Sequence, residues 1–213
     1  MNKKAIFYDL DNTIYPQIID IEQRIDYCLK KFAFPDEKII KTFWINEWLE
    51  NGPVKKDLID IVIKKFGLNV NKKKFLNTYR RYKTNLSLTE KHMELFKKIK
   101  NLNFKQFVIT NGNPVIQLNK INSLKLHQFF DEIIIATGEY AKPCNYWFKQ
   151  LMFKYKLNPD ECISVGDWYA IDGIASLSAG ITFIYKEGGH VIENVPEHID
   201  KIKDLTEILR YVT

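Results

Sequence analysis

The sequence predicts an α/β fold, in which a doubly wound parallel sheet is interrupted after its first strand by an all-helical insertion. Five short apolar runs alternate with amphipathic segments of helix length, a pattern typical of βαβ units whose parallel strands are buried on both faces. Between the first two runs, residues 16–88 contain several helical patterns and no strand-like one. Because the crossover connections between parallel strands are right-handed, we expect these strands to form a doubly wound sheet.

The alternation follows a regular order along the chain. Strands are predicted at residues 3–10, 105–110, 132–136, 162–167 and 181–185. Helices after the insertion are predicted at residues 88–100, 114–124, 145–155, 170–179 and 202–212. In the second of these helices Val115, Leu118 and Ile121 recur at helical spacing, so we expect them to form the apolar face of an amphipathic helix.

The insertion divides into four predicted helices, at residues 18–33, 36–50, 54–66 and 71–84. Gly52-Pro53 and Gly67 mark breaks between them, because glycine and proline interrupt helices. The sequence therefore predicts two domains. Residues 1–15 and 89–213 form the α/β core, and residues 16–88 form a helical domain.

The composition is that of a soluble globular protein. Of the 213 residues, 46% are apolar and 27% are charged, close to the average for such proteins. No apolar run approaches the ~20 residues of a membrane span, and the first residues meet charges too early for a secretory signal. Cys28, Cys144 and Cys162 form no CxxC pair, which favours reduced thiols. We expect a cytoplasmic protein with no membrane partner.

The net charge of +6 is concentrated in the insertion. Residues 16–88 hold 15 Lys and Arg against 9 Asp and Glu, whereas the remainder of the chain holds 17 of each. A basic segment of this kind can attract an anionic partner or can be a lysine-rich solvated surface. We favour the solvated surface and expect no nucleic-acid partner.

Polar side chains follow four of the predicted strands. The carboxyl ends of parallel strands meet at one edge of the sheet, so we expect these side chains to converge there. Each short motif alone could be an ordinary turn or helix cap. The residues are Asp9, Asp11, Thr110, Asn111, Lys142, Asp167 and, five positions after Asp167, Asp172.

Their chemistry predicts phosphoryl transfer. Asp9 and Asp11 leave an extended chain on the same side, and with Asp167 nearby the carboxylates cannot all stay ionised without a cation. Carboxylate oxygens with room for water suit Mg²⁺. A carboxylate can attack a phosphate ester, while Lys142 and Thr110 neutralise charge on the phosphoryl group.

The order of the motifs resembles the haloacid dehalogenase (HAD) superfamily. DLDNT, ITNG, AKP and GDWYAID, followed by Ser178-Ala179-Gly180, fall at residues 6–14, 107–113, 140–143 and 165–180. A helical insertion just after the first motif is similar to the C1-capped members. The resemblance implies a Rossmann-like core that carries a helical C1 cap.

The resemblance also implies a role for each residue. Asp9 is the expected nucleophile and a Mg²⁺ ligand, and Asp11 is the expected general acid and base, with its main-chain carbonyl on the metal. Lys142 steadies the nucleophile and the phosphoryl oxygens. The remaining expectations are that Thr110 and Asn111 bind phosphate, that Asp167 is a metal ligand, and that Asp172 is a water-mediated or indirect metal partner.

Asp11 favours the phosphatase branch, because dehalogenases of this superfamily lack an acid at that position. The sequence therefore predicts a Mg²⁺-dependent phosphomonoester hydrolase that acts through an aspartyl-phosphate on a small phosphorylated metabolite, a nucleoside monophosphate or a sugar phosphate. Two alternatives are a phosphosugar mutase of the same fold and a non-catalytic basic binding module on a phosphatase scaffold. Trp168 and Tyr169 stand where small or polar residues are usual in the family, and the sequence assigns them no role.

Overall fold

The computed structural model describes residues 3–51, 58–189 and 193–212, and a six-stranded sheet is its main β element. The strands are β1 (Ala5–Tyr8), β2 (Lys105–Asn111), β3 (Glu132–Ala136), β4 (Cys162–Gly166), β5 (Thr182–Lys186) and β6 (Asp200–Ile202). They are ordered β3-β2-β1-β4-β5-β6, and every neighbouring pair is parallel. This doubly wound arrangement confirms the predicted fold class.

Helices alternate with the strands as the sequence predicts. They are α1 (Ile18–Lys31), α2 (Glu37–Asn51), α3 (Leu58–Lys65), α4 (Lys72–Arg81), α5 (Glu90–Asn101), α6 (Pro114–Ser123), α7 (Tyr146–Tyr155) and α8 (Ile174–Ser178). The predicted helix at 54–66 is observed from Leu58, and its first four residues lie outside the described ranges. None of the helices in the described ranges is long and apolar enough to cross a membrane.

Strand β1 lies in the middle of the sheet and is buried on both faces. The Phe7 ring packs with its centroid 4.9 Å from that of Phe107 and 5.1 Å from that of Phe148. The next side chain, Tyr8, points to the other face and meets Phe96 edge-on at 5.7 Å. The strand order reverses at β1, so the loop that follows it opens at the position where doubly wound sheets bind ligands.

The C-terminal segment differs from the prediction. Instead of one helix at residues 202–212, the chain forms the short edge strand β6 and then a 3₁₀ helix, Leu205–Tyr211. The Asp204 side chain accepts the Thr206 N–H at 3.0 Å and so starts this helix. The predicted helix at 170–179 likewise begins as a π-helical turn, Tyr169–Gly173, before α8.

The chain forms two compact units. One contains residues 1–16 and 87–213, and the other is Gln17–Leu86. This division places Pro16, Ser87 and Leu88 in the α/β unit, whereas the sequence analysis placed them in the insertion.

A buried arginine connects two helices of the helical unit. Arg24 of α1 is fully buried and forms two hydrogen bonds with the Asp20 carboxylate, at 3.0 and 2.9 Å. Its Nη1 also donates to the carbonyl oxygens of Tyr79 and Tyr82, each at 2.9 Å. Since these carbonyls end α4, the Arg24 guanidinium satisfies backbone acceptors that the helix itself leaves free.

Candidate active site

The loop after β1 places two carboxylates at the carboxyl edge of the sheet. Asp9 continues the strand, because its N–H donates to the Val165 carbonyl of β4 at 2.9 Å. The chain then turns at Asn12, which has φ +57°, a left-handed conformation that asparagine tolerates better than most residues. The turn is closed by the Asn12 N–H, which donates to the Tyr15 carbonyl at 2.9 Å. Asp9 and Asp11 thus stand on either side of Leu10 in a fixed loop.

Three carboxylates from two strand ends form one cluster. One oxygen each of Asp9, Asp167 and Asp172 lies within 4.8 Å of the others. The Lys142 ammonium lies 2.6 Å from Asp9 Oδ1 and 2.6 Å from Asp172 Oδ1, so it bridges two of the three. The structure therefore brings together Asp9, Lys142, Asp167 and Asp172, four of the residues that the sequence selected.

The π-helical turn after β4 places the Asp172 side chain beside Gly166, the last residue of β4. The second oxygen of Asp172 accepts the Trp168 N–H at 3.2 Å. Gly166 makes room for this approach, because a Cβ there would lie 2.5 Å from Asp172 Cβ. Asp172 was expected to be an indirect partner of the metal, yet its carboxylate lies inside the cluster.

Asn111 holds the backbone of Lys142. Its Nδ2 donates to the Lys142 carbonyl at 2.7 Å, and its Oδ1 accepts the Lys142 N–H at 2.9 Å. Thr110 is 1% exposed, and its Oγ1 accepts a hydrogen bond from Gln117 Nε2 at 2.7 Å. Thr110 and Asn111, at the end of β2, thus both form hydrogen bonds with other residues of the protein.

Asp11 has a separate set of partners, which the sequence analysis missed. The Lys120 ammonium lies 2.8 and 2.9 Å from its two oxygens, Gln117 Nε2 donates to Oδ2 at 3.0 Å, and the Tyr15 hydroxyl donates to Oδ1 at 2.7 Å. Gln117 and Lys120 both belong to α6 and are both buried, at 2% exposure. Their one-turn spacing, i and i+3, was the available signal.

The expected apolar face of α6 is partly wrong. Ile121 is buried, but Val115 and Leu118 are 45% and 49% exposed. Gln117 and Lys120 occupy the buried face in their place. The polar side chains are stabilised there because Asp11 and Thr110 supply hydrogen-bond partners that water would otherwise provide.

The pKa values of the carboxylates separate into two groups. Burial raises the pKa of Asp9 to about 7 despite its Lys142 partner, and burial with the nearby Asp9 and Asp172 charges raises the pKa of Asp167 to about 8. Burial would also raise the pKa of Asp11, but the Lys120 charge and the hydrogen bonds outweigh it and lower that pKa. Asp11 is therefore ionised at neutral pH. The raised pKa values of Asp9 and Asp167 show that their cluster holds too little positive charge to keep them fully ionised there.

The cluster fits a hard divalent cation. Its three carboxylates face a single ammonium, so a further positive charge is needed for all of them to ionise together. All the donors are oxygens, which is the ligand chemistry that Mg²⁺ prefers.

Tyr169 has a structural role in the loop after β4. The N–H groups of Tyr169 and Ala170 donate to the Glu193 carboxylate at 2.5 and 2.9 Å. The Tyr169 ring packs against Phe183, with centroids 6.3 Å apart. Gly173 permits this packing, because a Cβ there would lie 2.6 Å from the Tyr169 ring.

Comparison with known proteins identifies relatives across the whole fold. The family model described as haloacid dehalogenase-like hydrolase matches residues 6–186. The glyceraldehyde 3-phosphate phosphatase of Pyrococcus furiosus is 32% identical over 87 residues, which cover 40% of this chain and 36% of the relative. The enzyme of the same name from Methanocaldococcus jannaschii is 25% identical over 225 residues, which cover 95% of this chain and 98% of the relative.

Among solved structures, magnesium-bound YfnB of Bacillus subtilis superposes with a TM-score of 0.77. The match covers 100% of this chain and 99% of YfnB at 18% identity, so it shows a shared fold. The matches to the glyceraldehyde 3-phosphate phosphatases of Pyrococcus furiosus and Pyrococcus abyssi span only 36% and 50% of the length of these relatives.

Proposed function

The chain belongs to the haloacid dehalogenase-like hydrolase family, and from this premise we propose that it is a Mg²⁺-dependent phosphomonoester hydrolase acting on a small sugar phosphate. The single observation that carries the proposal is the position of Lys142, whose ammonium lies 2.6 Å from both Asp9 and Asp172 beside the third carboxylate, Asp167. The glyceraldehyde 3-phosphate phosphatases among the relatives favour a phosphorylated sugar over the nucleoside monophosphates that the sequence also allowed.

Asp9 is the proposed nucleophile. Its carboxylate oxygen attacks the phosphorus of the ester, the bond from phosphorus to the alcohol oxygen breaks, and an aspartyl-phosphate forms. Lys142 stabilises the ionised form of Asp9 and the negative charge on the phosphoryl oxygens. Mg²⁺ would be held by Asp9, Asp167, Asp172 and the main-chain carbonyl of Asp11, and it would supply positive charge that neutralises the phosphate.

Asp11 is the proposed acid and base. An anionic phosphate beside it raises the pKa of its carboxyl group, which favours uptake of the proton that the leaving alcohol needs. Asp11 gives this proton to the alcohol oxygen as the alcohol leaves and is then ionised. In the second step its carboxylate takes a proton from the water that attacks the aspartyl-phosphate, and the bond from phosphorus to the Asp9 oxygen breaks, which releases inorganic phosphate. Lys120, Gln117 and Tyr15 favour this ionised form and fix its position.

The second motif and the helical domain complete the proposal. Asn111 positions Lys142, and Thr110 with the neighbouring backbone N–H groups binds phosphate. Residues 16–88 are the proposed cap that selects the substrate, and residues 1–15 and 89–213 are the catalytic domain.

Phosphate release with Mg²⁺ from a panel of sugar phosphates and nucleoside monophosphates tests the proposal. Glyceraldehyde 3-phosphate belongs in the panel because of the relatives' names. Asp9→Asn removes the nucleophile at almost constant shape, and Asp160→Asn, at an exposed site in the 3₁₀ turn before β4, is the matched control. We expect Mg²⁺-dependent turnover in the wild type and in Asp160→Asn, and none in Asp9→Asn.

The same assay separates the alternatives. A phosphosugar mutase would convert sugar phosphates into isomers while releasing little inorganic phosphate. A non-catalytic scaffold would give no turnover on any ester although it folds and binds Mg²⁺. Either result would refute the phosphatase proposal.

A further inference from the structure

A basic groove runs between two helices of the helical unit. Tyr27 and Lys31 of α1 line one side, and the other side is lined by Lys74, Asn77, Thr78, Arg81 and Tyr82. Its volume is about 330 Å³. The residues from Lys74 to Arg81 recur at i, i+3, i+4 and i+7, so they share one face of α4 over about 10 Å.

The three cations of this groove have no acidic partner. Within the described parts of the chain, Lys31, Lys74 and Arg81 form no ion pair, and all three are exposed. Two other lysines of the unit do have an acidic partner, because Lys41 pairs with Asp26 and Lys72 pairs with Asp60. The groove therefore carries three of the positive charges of the insertion without a compensating carboxylate.

Buried Arg24 joins the two helices that line the groove, α1 and α4. Arg24 lies on the same helix as Tyr27 and donates to the carbonyls of Tyr79, Arg80 and Tyr82 at the end of α4. Breaking this contact would leave buried charge and buried acceptors unpaired, so the end of α4 is tied firmly to α1. The free-energy cost of bringing the cations together when a ligand binds is therefore small.

An aromatic surface borders the cations. The rings of Tyr27 and Tyr82 stack at 4.3 Å with an interplanar angle of 17°. Tyr27 nevertheless remains 37% exposed, so part of this residue is open to contact with a further planar group. Cations that contact phosphates beside a ring that stacks on a base are the two elements of single-stranded nucleic-acid binding.

We propose that this groove, which we name the α1–α4 groove, binds single-stranded nucleic acid. Lys31, Lys74 and Arg81 contact successive phosphates, and a base stacks on Tyr27. A groove of this length accepts two or three nucleotides, whereas a flat lipid surface does not reach into it and a duplex keeps its bases away from the ring. The lysine-rich surface expected from the sequence is in this part a binding surface, and this conclusion does not depend on the proposed phosphatase activity.

Fluorescence anisotropy with short labelled single-stranded RNA and DNA tests the proposal. With three phosphate contacts, log Kd should rise with log salt concentration with a slope of about 2. The triple variant Lys31→Gln, Lys74→Gln, Arg81→Gln should lose most of this slope and of the affinity. The matched control Lys97→Gln, Lys98→Gln, Lys149→Gln removes three exposed lysines from the α/β unit and should leave both unchanged.

A second variant tests the ring. Tyr27→Leu keeps an apolar side chain but removes the stacking surface, so affinity for single strands should fall at least about fivefold at constant salt slope. Circular dichroism and the melting temperature of each variant verify that it is folded. Equal loss in the two triple variants, equal affinity for duplex and single strand, or binding only to anionic phospholipid vesicles would each overturn the proposal.

Discussion

Asn111 and Lys142 are joined through two reciprocal hydrogen bonds between the side chain of one and the backbone of the other. The Asn111 amide donates to the Lys142 carbonyl at 2.7 Å and accepts the Lys142 N–H at 2.9 Å. This clamp connects the end of β2 with the loop after β3. It fixes the backbone from which the Lys142 ammonium reaches Asp9 and Asp172.

Breaking the clamp should reduce turnover more than stability. Asn111→Ala removes both hydrogen bonds, so the Lys142 ammonium loses its fixed position beside Asp9, and a misplacement of about 1 Å can cost about 100-fold in rate. We expect kcat for phosphate release to fall between about 10- and 100-fold.

A control separates positioning from folding. Asn113→Ala removes a nearby asparagine that caps α6 instead, and it should lower the melting temperature with a smaller effect on kcat. If Asn111→Ala keeps wild-type kcat, the clamp does not position Lys142.

The stability of the metal-free protein should fall as pH rises. The pKa values of Asp9 and Asp167 are raised from 3.8 to about 7 and about 8, respectively. At a pH between 3.8 and the raised pKa of each group, the folded state therefore holds more protons than the unfolded state. The free energy of unfolding then decreases with pH, by up to about 1.4 kcal/mol per pH unit for each proton. Mg²⁺ competes with those protons, so its stabilising effect should grow with pH.

Urea unfolding at pH 6, 7 and 8, with EDTA or with Mg²⁺, measures this dependence. Asp167→Asn removes one of the two titrating groups and should flatten the pH dependence of the EDTA series. An equal gain in unfolding free energy from Mg²⁺ at all three pH values would contradict the prediction.

The ion pair between Lys120 and Asp11 should contribute to stability. The side chains of Lys120 and Asp11 are 3% and 17% exposed, so Lys120→Met leaves a largely buried carboxylate without its cation. We expect a loss of about 1–3 kcal/mol in unfolding free energy, less than for a fully buried pair because Asp11 has some contact with water.

A double-mutant cycle checks that the loss belongs to the pair. Asp11→Asn removes the charge that Lys120 compensates, so the double variant should be more stable than the sum of the single effects predicts. Additive effects would show that the two charges do not stabilise each other.

The strands could be predicted from the sequence wherever they are buried on both faces. β1 is a continuous apolar run, and β2 and β4 are mostly buried runs with several apolar residues, because helices cover both sides of the sheet. Strand β6 was not predicted because it is an edge strand of only three residues, and two of them, Asp200 and Lys201, are exposed. Its pairing with β5 depends on tertiary structure and leaves no period in the sequence.

The site could be predicted only as far as the strand ends determine it. The rule that parallel strands present ligands at their carboxyl ends selected Asp9, Lys142 and Asp167. Lys120 was missed because it reaches Asp11 from helix α6 and not from a strand end. Asn111 was selected as a phosphate ligand, but its clamp on Lys142 requires knowledge of where the loop after β3 folds.

The approach of Asp172 to β4 gives the last prediction. A methyl group at Gly166 would lie 2.5 Å from both Cβ and Oδ2 of Asp172, so Gly166→Ala must displace that carboxylate. Displacement moves Asp172 away from Lys142 and from the proposed metal, so Mg²⁺ affinity measured by calorimetry should fall about 10- to 100-fold. Overpacking should also cost about 1–3 kcal/mol of stability.

Ser164→Ala on the same strand is the matched control for Gly166→Ala. It removes the acceptor of the Ser176 hydroxyl, a buried hydrogen bond of 2.9 Å, without adding an atom near the Asp172 carboxylate. The control should therefore lose stability while it keeps wild-type Mg²⁺ affinity. If both variants retain that affinity, the Asp172 carboxylate takes no part in holding the metal, and the proposed ligand set reduces to Asp9, Asp167 and the Asp11 carbonyl.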